Sequence, residues 1–233
     1  MTEKQTLYLL PGLLSDDTVW RHQMDHLSDL AHVVVPDYRN CDSITAMAES
    51  VLAGAPDSFA VAGHSMGGRV ALELFRLAQD RISRIALLDS ATGPAAAGEE
   101  EKRMGWVKLA REEGMAALAD TWLPPMVHPD RHDDDAFMQE LTNMIGRFTP
   151  EQFHGEIRAL LNRPDATPLL GRIHCSALVL CGRQDNWCSP GSHAEMAAAI
   201  PGAEFEIVED CGHMAPVEKP EEVTAALRRW LLY

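Results

Sequence analysis

The segment 59–75 constrains the path of this chain more than any other. The apolar run Phe59-Ala60-Val61-Ala62 leads into Gly63-His64-Ser65-Met66-Gly67, and Arg69-Val70-Ala71-Leu72-Glu73-Leu74-Phe75 follows with helical character. A strand that passes into a helix through G-x-S-x-G makes a turn so tight that its serine is pushed out above the sheet. Small residues are needed two before and two after the serine, because side chains there would collide with the neighbouring strand and helix. An uncommitted serine is a weak nucleophile at neutral pH, so the turn implies chemistry only where a base and an acid lie downstream. Both candidates are present.

The chain around this turn alternates strands and helices. Short apolar runs at Thr6–Leu10, His32–Pro36, Phe59–Gly63, Ile82–Leu88, Ala177–Cys181 and Glu204–Val208 read as buried parallel strands. Between them lie helical stripes. Trp20, Met24, Leu27 and Leu30 follow Asp16-Asp17; Ile44, Met47, Ala48, Val51 and Leu52 lie between a Ser43 cap and a Gly54 stop. Further helices are expected over Met66–Ala78, from Pro190 to about Ala199, and from Pro220 onward. This alternation predicts an α/β fold, a doubly wound, mostly parallel sheet of about six strands with right-handed crossovers. From about Ala95 to Leu170 no strand is legible, only helical patterns around 102–111, 115–123, 134–148 and 150–161. The expected division is therefore a core of residues 1–94 and 171–233 with a helical insertion, 95–170, between two strands of one sheet.

With 233 residues, 46% hydrophobic and 24% charged, the chain can bury a sizeable core. Its formal net charge of -15 argues against nucleic acid or an anionic membrane surface as a partner, since both need clustered cations. No signal-peptide layout and no apolar stretch of membrane-spanning length is present. The five cysteines, Cys41, Cys175, Cys181, Cys188 and Cys211, form no C-x-x-C pair. Reduced thiols and a cytoplasmic location are the expectation, with no zinc site or disulfide framework.

Two later strands end in residues that answer the serine. The run 177–181 is followed by Gly182-Arg183-Gln184-Asp185, and the run 205–208 by Glu209-Asp210-Cys211-Gly212-His213. Ser65, Asp185 and His213 thus each fall beyond the carboxyl end of a parallel strand, the edge where open α/β sheets bind ligands. With Leu10-Pro11-Gly12-Leu13-Leu14 upstream and Gly212-His213-Met214-Ala215-Pro216 at the end, the chain resembles the α/β-hydrolase superfamily over nearly its whole length outside the insertion. It is similar to small bacterial esterase, lactonase and thioesterase-like members, although Pro11 stands where many relatives have histidine. The resemblance implies that Gly63–Gly67 is a nucleophile elbow and that the insertion is a cap over the active site. It further implies Ser65 as nucleophile, His213 as general base and then acid, and Asp185 as the residue orienting the imidazole. The backbone N–H groups of Leu13 and Met66 would form the oxyanion hole.

Other residues are assigned by comparison with these. Asp89 also ends a strand and is the rival for the acid role, but Gly182-Arg183-Gln184-Asp185 matches the family pattern more closely. His64 should point away from Ser65 and serve as structure or pocket wall. Cys211 reads as a packed thiol, and Asp37 with Arg39 as a loop-fixing ion pair. Trp187, Trp122, Leu14, Phe148 and Met126 are the candidate substrate-binding residues, with Trp106, Leu123 and Met144 as further lining, which together suggest an apolar cavity. No paired cations adjoin a motif to mark a carboxylate or phosphate clamp, and Arg69 and Arg147 are the open candidates. The expected function is a serine hydrolase that cleaves a small carboxylic ester, lactone or thioester through an acyl-enzyme. It would need no cofactor or metal and would act as a monomer or homodimer. The alternatives are a C–C bond hydrolase or lyase on the same triad, or a ligand receptor on this fold. Serine at the elbow disfavours epoxide hydrolases and dehalogenases, which carry aspartate there.

Overall fold

The six apolar runs form six strands in the computed structural model, which describes residues 4–233. They are β1 (Gln5–Leu10), β2 (Ala31–Val34), β3 (Phe59–His64), β4 (Ile82–Leu88), β5 (Ser176–Gly182) and β6 (Glu204–Val208). All pair in parallel, in the order β2-β1-β3-β4-β5-β6. β3 is buried along its whole length. Helices cover both faces of such a strand, so it reads as a continuous apolar run rather than an alternation. β2 lies at one edge and ends at Val34, two residues short of the expected Pro36, whose ring nitrogen has no hydrogen to give to a ladder.

Nine helices follow the strands among the described residues: α1 (Arg21–Leu27), α2 (Ile44–Gly54), α3 (Met66–Ala78), α4 (Glu99–Trp122), α5 (Asp135–Ile145), α6 (Pro150–Leu161), α7 (Pro190–Ala199), α8 (Ala215–Glu218) and α9 (Pro220–Leu232). Side chains set several of their starts. Ser43 Oγ accepts the Ala46 N–H at 3.1 Å, and Ser189 Oγ accepts the Ser192 N–H at 3.2 Å ahead of Pro190. None of the described helices is long and apolar enough to cross a membrane.

The strand order places the working edge. The chain moves outward from β1 to β2, returns past β1 to β3, and then continues in one direction to β6. Right-handed crossovers therefore put α1 on one face and α2, α3 and α7 on the other. In keeping with this, α1 packs against α9 and α2 against α3. The direction reverses between β1 and β3, whose last residues Leu10 and Gly63 are in register. The crevice at such a reversal, beyond the carboxyl ends of the strands, is where this class of sheet binds ligands.

Between β4 and β5 the segment 95–170 holds α4, α5, α6 and short 3-10 turns, and no strand among the described residues. These helices form a cap on the sheet's carboxyl edge. Within α4, Gly114 has φ 92° and ψ 170°, outside the helical region, so the chain kinks there between the two helical patterns expected at 102–111 and 115–123. α6 opens with a capping box, in which Thr149 Oγ1 accepts the Gln152 N–H while Gln152 Oε1 accepts the Thr149 N–H. The Ala166 N–H donates to Thr92 O at 3.0 Å where the cap rejoins the sheet.

The turn between β3 and α3 leaves no room for side chains. A Cβ on Gly67 would lie 2.0 Å from Leu10 O, and one on Gly63 would lie 2.2 Å from Gly67 O. Gly67→Ala is expected to cost about 3 kcal/mol or more, because only backbone movement relieves the clash. Gly54→Ala, where nothing lies within 4 Å, should change stability by no more than about 1 kcal/mol. Urea denaturation of the two variants checks the contrast; equal effects would contradict the close approach.

Candidate active site

Ser65 stands at the apex of the β3–α3 turn with φ 54° and ψ −116°, a conformation that L-residues rarely adopt. Hydrogen bonds hold it there. The Ser65 N–H donates to Leu88 O at 2.9 Å, and Ser65 O accepts from Ser90 Oγ at 2.7 Å and from the Gly68 N–H at 3.0 Å. Ser90 is fixed in turn by its own N–H, which donates to Nε2 of the buried His193 at 3.0 Å.

The loops after β5 and β6 are tied together. The Gln184 N–H donates to Cys211 O at 2.8 Å, and the Cys211 N–H donates to Gln184 Oε1 at 3.0 Å. This pairing brings Asp185 against His213. His213 Nδ1–H donates to Asp185 Oδ2 at 2.8 Å, which leaves Nε2 to accept from Ser65 Oγ–H at 2.9 Å. The other carboxylate oxygen, Oδ1, accepts the backbone N–H groups of Trp187 and Cys188 at 2.8 and 2.9 Å. Burial alone would raise the Asp185 carboxyl, but His213 and these N–H donors outweigh it and hold the group below the usual range. The three expected residues thus meet in one hydrogen-bonded line.

The rival acid is engaged elsewhere. Asp89 is fully buried and accepts backbone N–H groups from Gly182 at 2.9 Å and Ala215 at 3.3 Å. Burial and the neighbouring Asp185 push its carboxyl well above the usual range, and its two backbone bonds make it a tie between the β4, β5 and β6 loops. His64 is also structural. Its Nε2–H donates to His213 O at 2.7 Å, and burial, then His213, lowers it to about 3, so it is a neutral donor. Cys211 is fully buried, and Asp37 pairs with Arg39 at 2.6 Å. All five thiols are free.

A cavity of about 280 Å³ opens onto Ser65 and His213, and Leu13 and Met66 also line it. Among the described residues neither the Leu13 nor the Met66 backbone N–H donates to a protein acceptor. Met66 is the first residue of α3, where an N–H has no intrahelical partner and the helix dipole is positive. Of the candidate substrate-binding residues, Trp187 and Met126 line the cavity, and so does Trp106. Trp106 stacks on Trp187 with centroids 5.5 Å apart, and Trp187 lies 6.1 Å from the His213 ring.

Trp122, Leu14 and Phe148 do not line it, nor do Leu123 and Met144. Trp122 sits edge-on to Trp187 at 6.0 Å and is buried. Phe148 is buried with the Arg39 guanidinium 5.5 Å from its ring centre, and Leu14 is fully buried. The expectation of an apolar cavity is likewise corrected, since Arg69, Lys102, Arg103, Arg163 and Glu99 are in its wall. Arg147 lies outside it and pairs with Asp16 at 2.7 Å.

Two buried carboxyl groups that carry no motif shape the site's loops. Glu218 on α8 accepts the backbone N–H groups of Gly212 at 3.1 Å, Met214 at 3.0 Å and His128 at 2.7 Å, so it holds both sides of His213 and a loop of the cap. The His213 N–H itself donates to Met126 O in the cap at 2.7 Å. Glu156, from α6, reaches down to the loop after β1, where its Oε2 accepts the Leu14 N–H at 3.0 Å. Leu14 has φ 53°, so this contact steadies a left-handed residue directly after Leu13. As for metal ligands, Asp185, Cys188 and His213 place donor atoms within 4.8 Å of one another. Asp185 and His213 are already bonded to each other, and burial pushes the Cys188 thiol up, so the set offers no thiolate.

Comparison with known proteins bears on the family and the fold. A model of the alpha/beta hydrolase family matches residues 7–226. An esterase from Thermogutta terrifontis, solved with malate bound, superposes with a TM-score of 0.92 at 30% identity, covering 98% of this chain and 89% of that one. The enol-lactonase from Burkholderia xenovorans LB400 gives 0.90 at 25% identity, covering 99% and 92%. In sequence, a putative carbamate hydrolase, RutD, from Caulobacter sp. (strain K31) is 24% identical over 99% of this chain and 91% of its own length.

The Glu156 contact has a pH signature. Burial raises its carboxyl to about 8, partly offset by the Leu14 N–H. A folded-state value above the unfolded one means the native protein binds the extra proton, so stability is full below about pH 4.5 and declines as pH rises toward 8. Glu156→Gln keeps an acceptor for the Leu14 N–H and removes the titration. Its melting temperature should rise relative to the parent between pH 5 and pH 9. A difference that stays constant across that range would contradict a buried, neutral Glu156.

Proposed function

The chain belongs to the alpha/beta hydrolase family, and on that premise we propose that it is a serine hydrolase cleaving small carboxylic esters, with lactones and thioesters in the same reaction class. The observation that carries the proposal is the line Asp185–His213–Ser65, with Ser65 at the floor of a cavity and two uncommitted backbone N–H groups beside it. An esterase and an enol-lactonase are among the similar structures. Both names denote hydrolysis of a carbonyl–oxygen bond, which supports this reading.

The steps follow from the positions of the groups. Ser65 Oγ attacks the carbonyl carbon while His213 Nε2 takes its proton. Asp185, bonded to Nδ1–H, fixes the imidazole tautomer and stabilises the imidazolium. The carbonyl oxygen becomes an oxyanion facing the Leu13 and Met66 N–H groups, each worth about 3 kcal/mol at the transition state. His213 then hands the proton to the departing alkoxide, and the alcohol leaves an acyl group on Ser65. Water repeats the sequence against the acyl carbon, so the carboxylic acid is released and Ser65 regains its proton. Side chains, backbone donors and water carry every step.

The cap sets what can enter. It supplies Trp106 and Met126 to the cavity wall, and Met126 O holds the His213 N–H. In this fold, specificity belongs to such insertions rather than to the sheet.

Ser65→Ala should lower turnover of p-nitrophenyl acetate by at least about a thousandfold while leaving the melting curve intact. Asp185→Asn should lower kcat by about ten-thousandfold, because the amide holds the wrong imidazole tautomer. Parental rates in a folded Ser65→Ala protein would refute the assignment.

A further inference from the structure

The cavity wall carries a charge opposite to that of the molecule. The chain has a formal net charge of -15, yet Arg69, Lys102, Arg103 and Arg163 line the cavity against Glu99 as the one acidic residue in its wall. Two of the cations are partly consumed by structure. Arg163 donates to both oxygens of Glu99 at 2.7 and 2.8 Å and to the carbonyls of Gly93, Pro94 and Leu160, which closes the cap onto the loop after β4. Arg103 donates from Nε to Glu99 at 2.7 Å, and its Nη1 is buried without a partner.

The other two are not neutralised. Arg69 donates Nη1 to Gly93 O at 2.9 Å, and Lys102 Nζ lies 5.1 and 5.4 Å from the ring centres of Trp106 and Trp187. Among the described residues neither has an anionic partner within 4 Å. Burial first, and then the Arg163 charge, lower Arg69 to about 10. A cavity that holds unpaired guanidinium and ammonium groups beside a nucleophile is complementary to an anion. The half-buried Arg69 guanidinium gains most from a carboxylate, which it meets with parallel hydrogen bonds, and the exposed Lys102 ammonium adds its attraction from the cap.

Position fixes which part of a substrate bears that anion. Arg69 follows Ser65 by four residues on α3, about 6 Å along the helix axis. The acyl group stays bonded to Ser65 through both chemical steps, whereas the alcohol must leave between them. A clamp on the alcohol would slow its release; a clamp on the acyl group holds the intermediate in place for water. Resting on the ester-hydrolase reading above, we infer that the preferred substrates are small esters whose acyl part ends in a carboxylate, seated between Arg69 on α3 and Lys102 with Arg103 on the cap helix α4.

Initial rates on monoethyl glutarate and ethyl valerate, followed by acid release at constant pH, test this directly. The anionic ester should have the higher kcat/KM by about tenfold to a hundredfold, and salt should weaken its advantage. Lys102→Gln, at an exposed position, and Arg69→Gln should each lower the glutarate-to-valerate ratio by about tenfold. Equal or better turnover of ethyl valerate, or a ratio unchanged in both variants, overturns the inference. If hydrolysis of p-nitrophenyl acetate persists in the same preparation, the ester-hydrolase reading survives that failure. Absence of turnover on all three esters overturns both.

Discussion

Two carbonyl oxygens crowd the start of α3, and the rest of the site depends on that crowding. Leu10 O and Gly67 O occupy the space where side chains on Gly67 and Gly63 would be. Because those positions carry hydrogen alone, the helix can begin within one residue of the strand and run back close against β1. Ser65 is then forced into its left-handed conformation, with its side chain above the sheet edge and its backbone tied to Leu88 and Ser90. The same approach sets the ends of β1 and β3 side by side, so that Leu13 and Met66 come to one cavity from different parts of the chain.

Around this fixed point the remaining loops are held by buried polar groups rather than by the sheet. Asp89 ties the β4, β5 and β6 ends, Gln184 joins the Asp185 and His213 loops, and Glu218 gathers the N–H groups flanking His213. His64 completes the set by donating to His213 O. Each is buried or tied to backbone atoms, and each satisfies groups that a loop over a sheet edge would otherwise leave unpaired. The cap joins this network through Met126 O, the His128 N–H and Glu156, so the site's geometry and the cap are mechanically one assembly.

The sheet and the chemical residues were legible in the sequence because they obey local rules. α3 runs over the expected Met66–Ala78, and Pro190 and Pro220 begin α7 and α9. Ser65, Asp185 and His213 come together because each follows a strand, and strand ends share an edge. The cavity lining was read less well, for a physical reason. In the cap, a tryptophan or phenylalanine at helical spacing carries the same signal whether it faces a cavity or the interior, so Trp106 and Trp187 could not be told from Trp122 and Phe148. Of the cations in the wall only Arg69 is a candidate on sequence, because positions 69, 102, 103 and 163 are brought together only by the folded cap. Glu156 and Glu218 look like ordinary surface residues of amphipathic helices, and only their burial reveals that they bind backbone N–H groups.

The central claim is that the convergence of three strand ends makes Ser65 a nucleophile and leaves the other serines inert. Reaction with a fluorophosphonate, followed by peptide mapping of the labelled protein, tests it most directly. The account predicts a single stoichiometric adduct on Ser65 that forms far more slowly in Asp185→Asn, whose imidazole is no longer oriented to accept the Ser65 proton. An unlabelled Ser65 in folded protein, or an adduct spread over other serines, would contradict it.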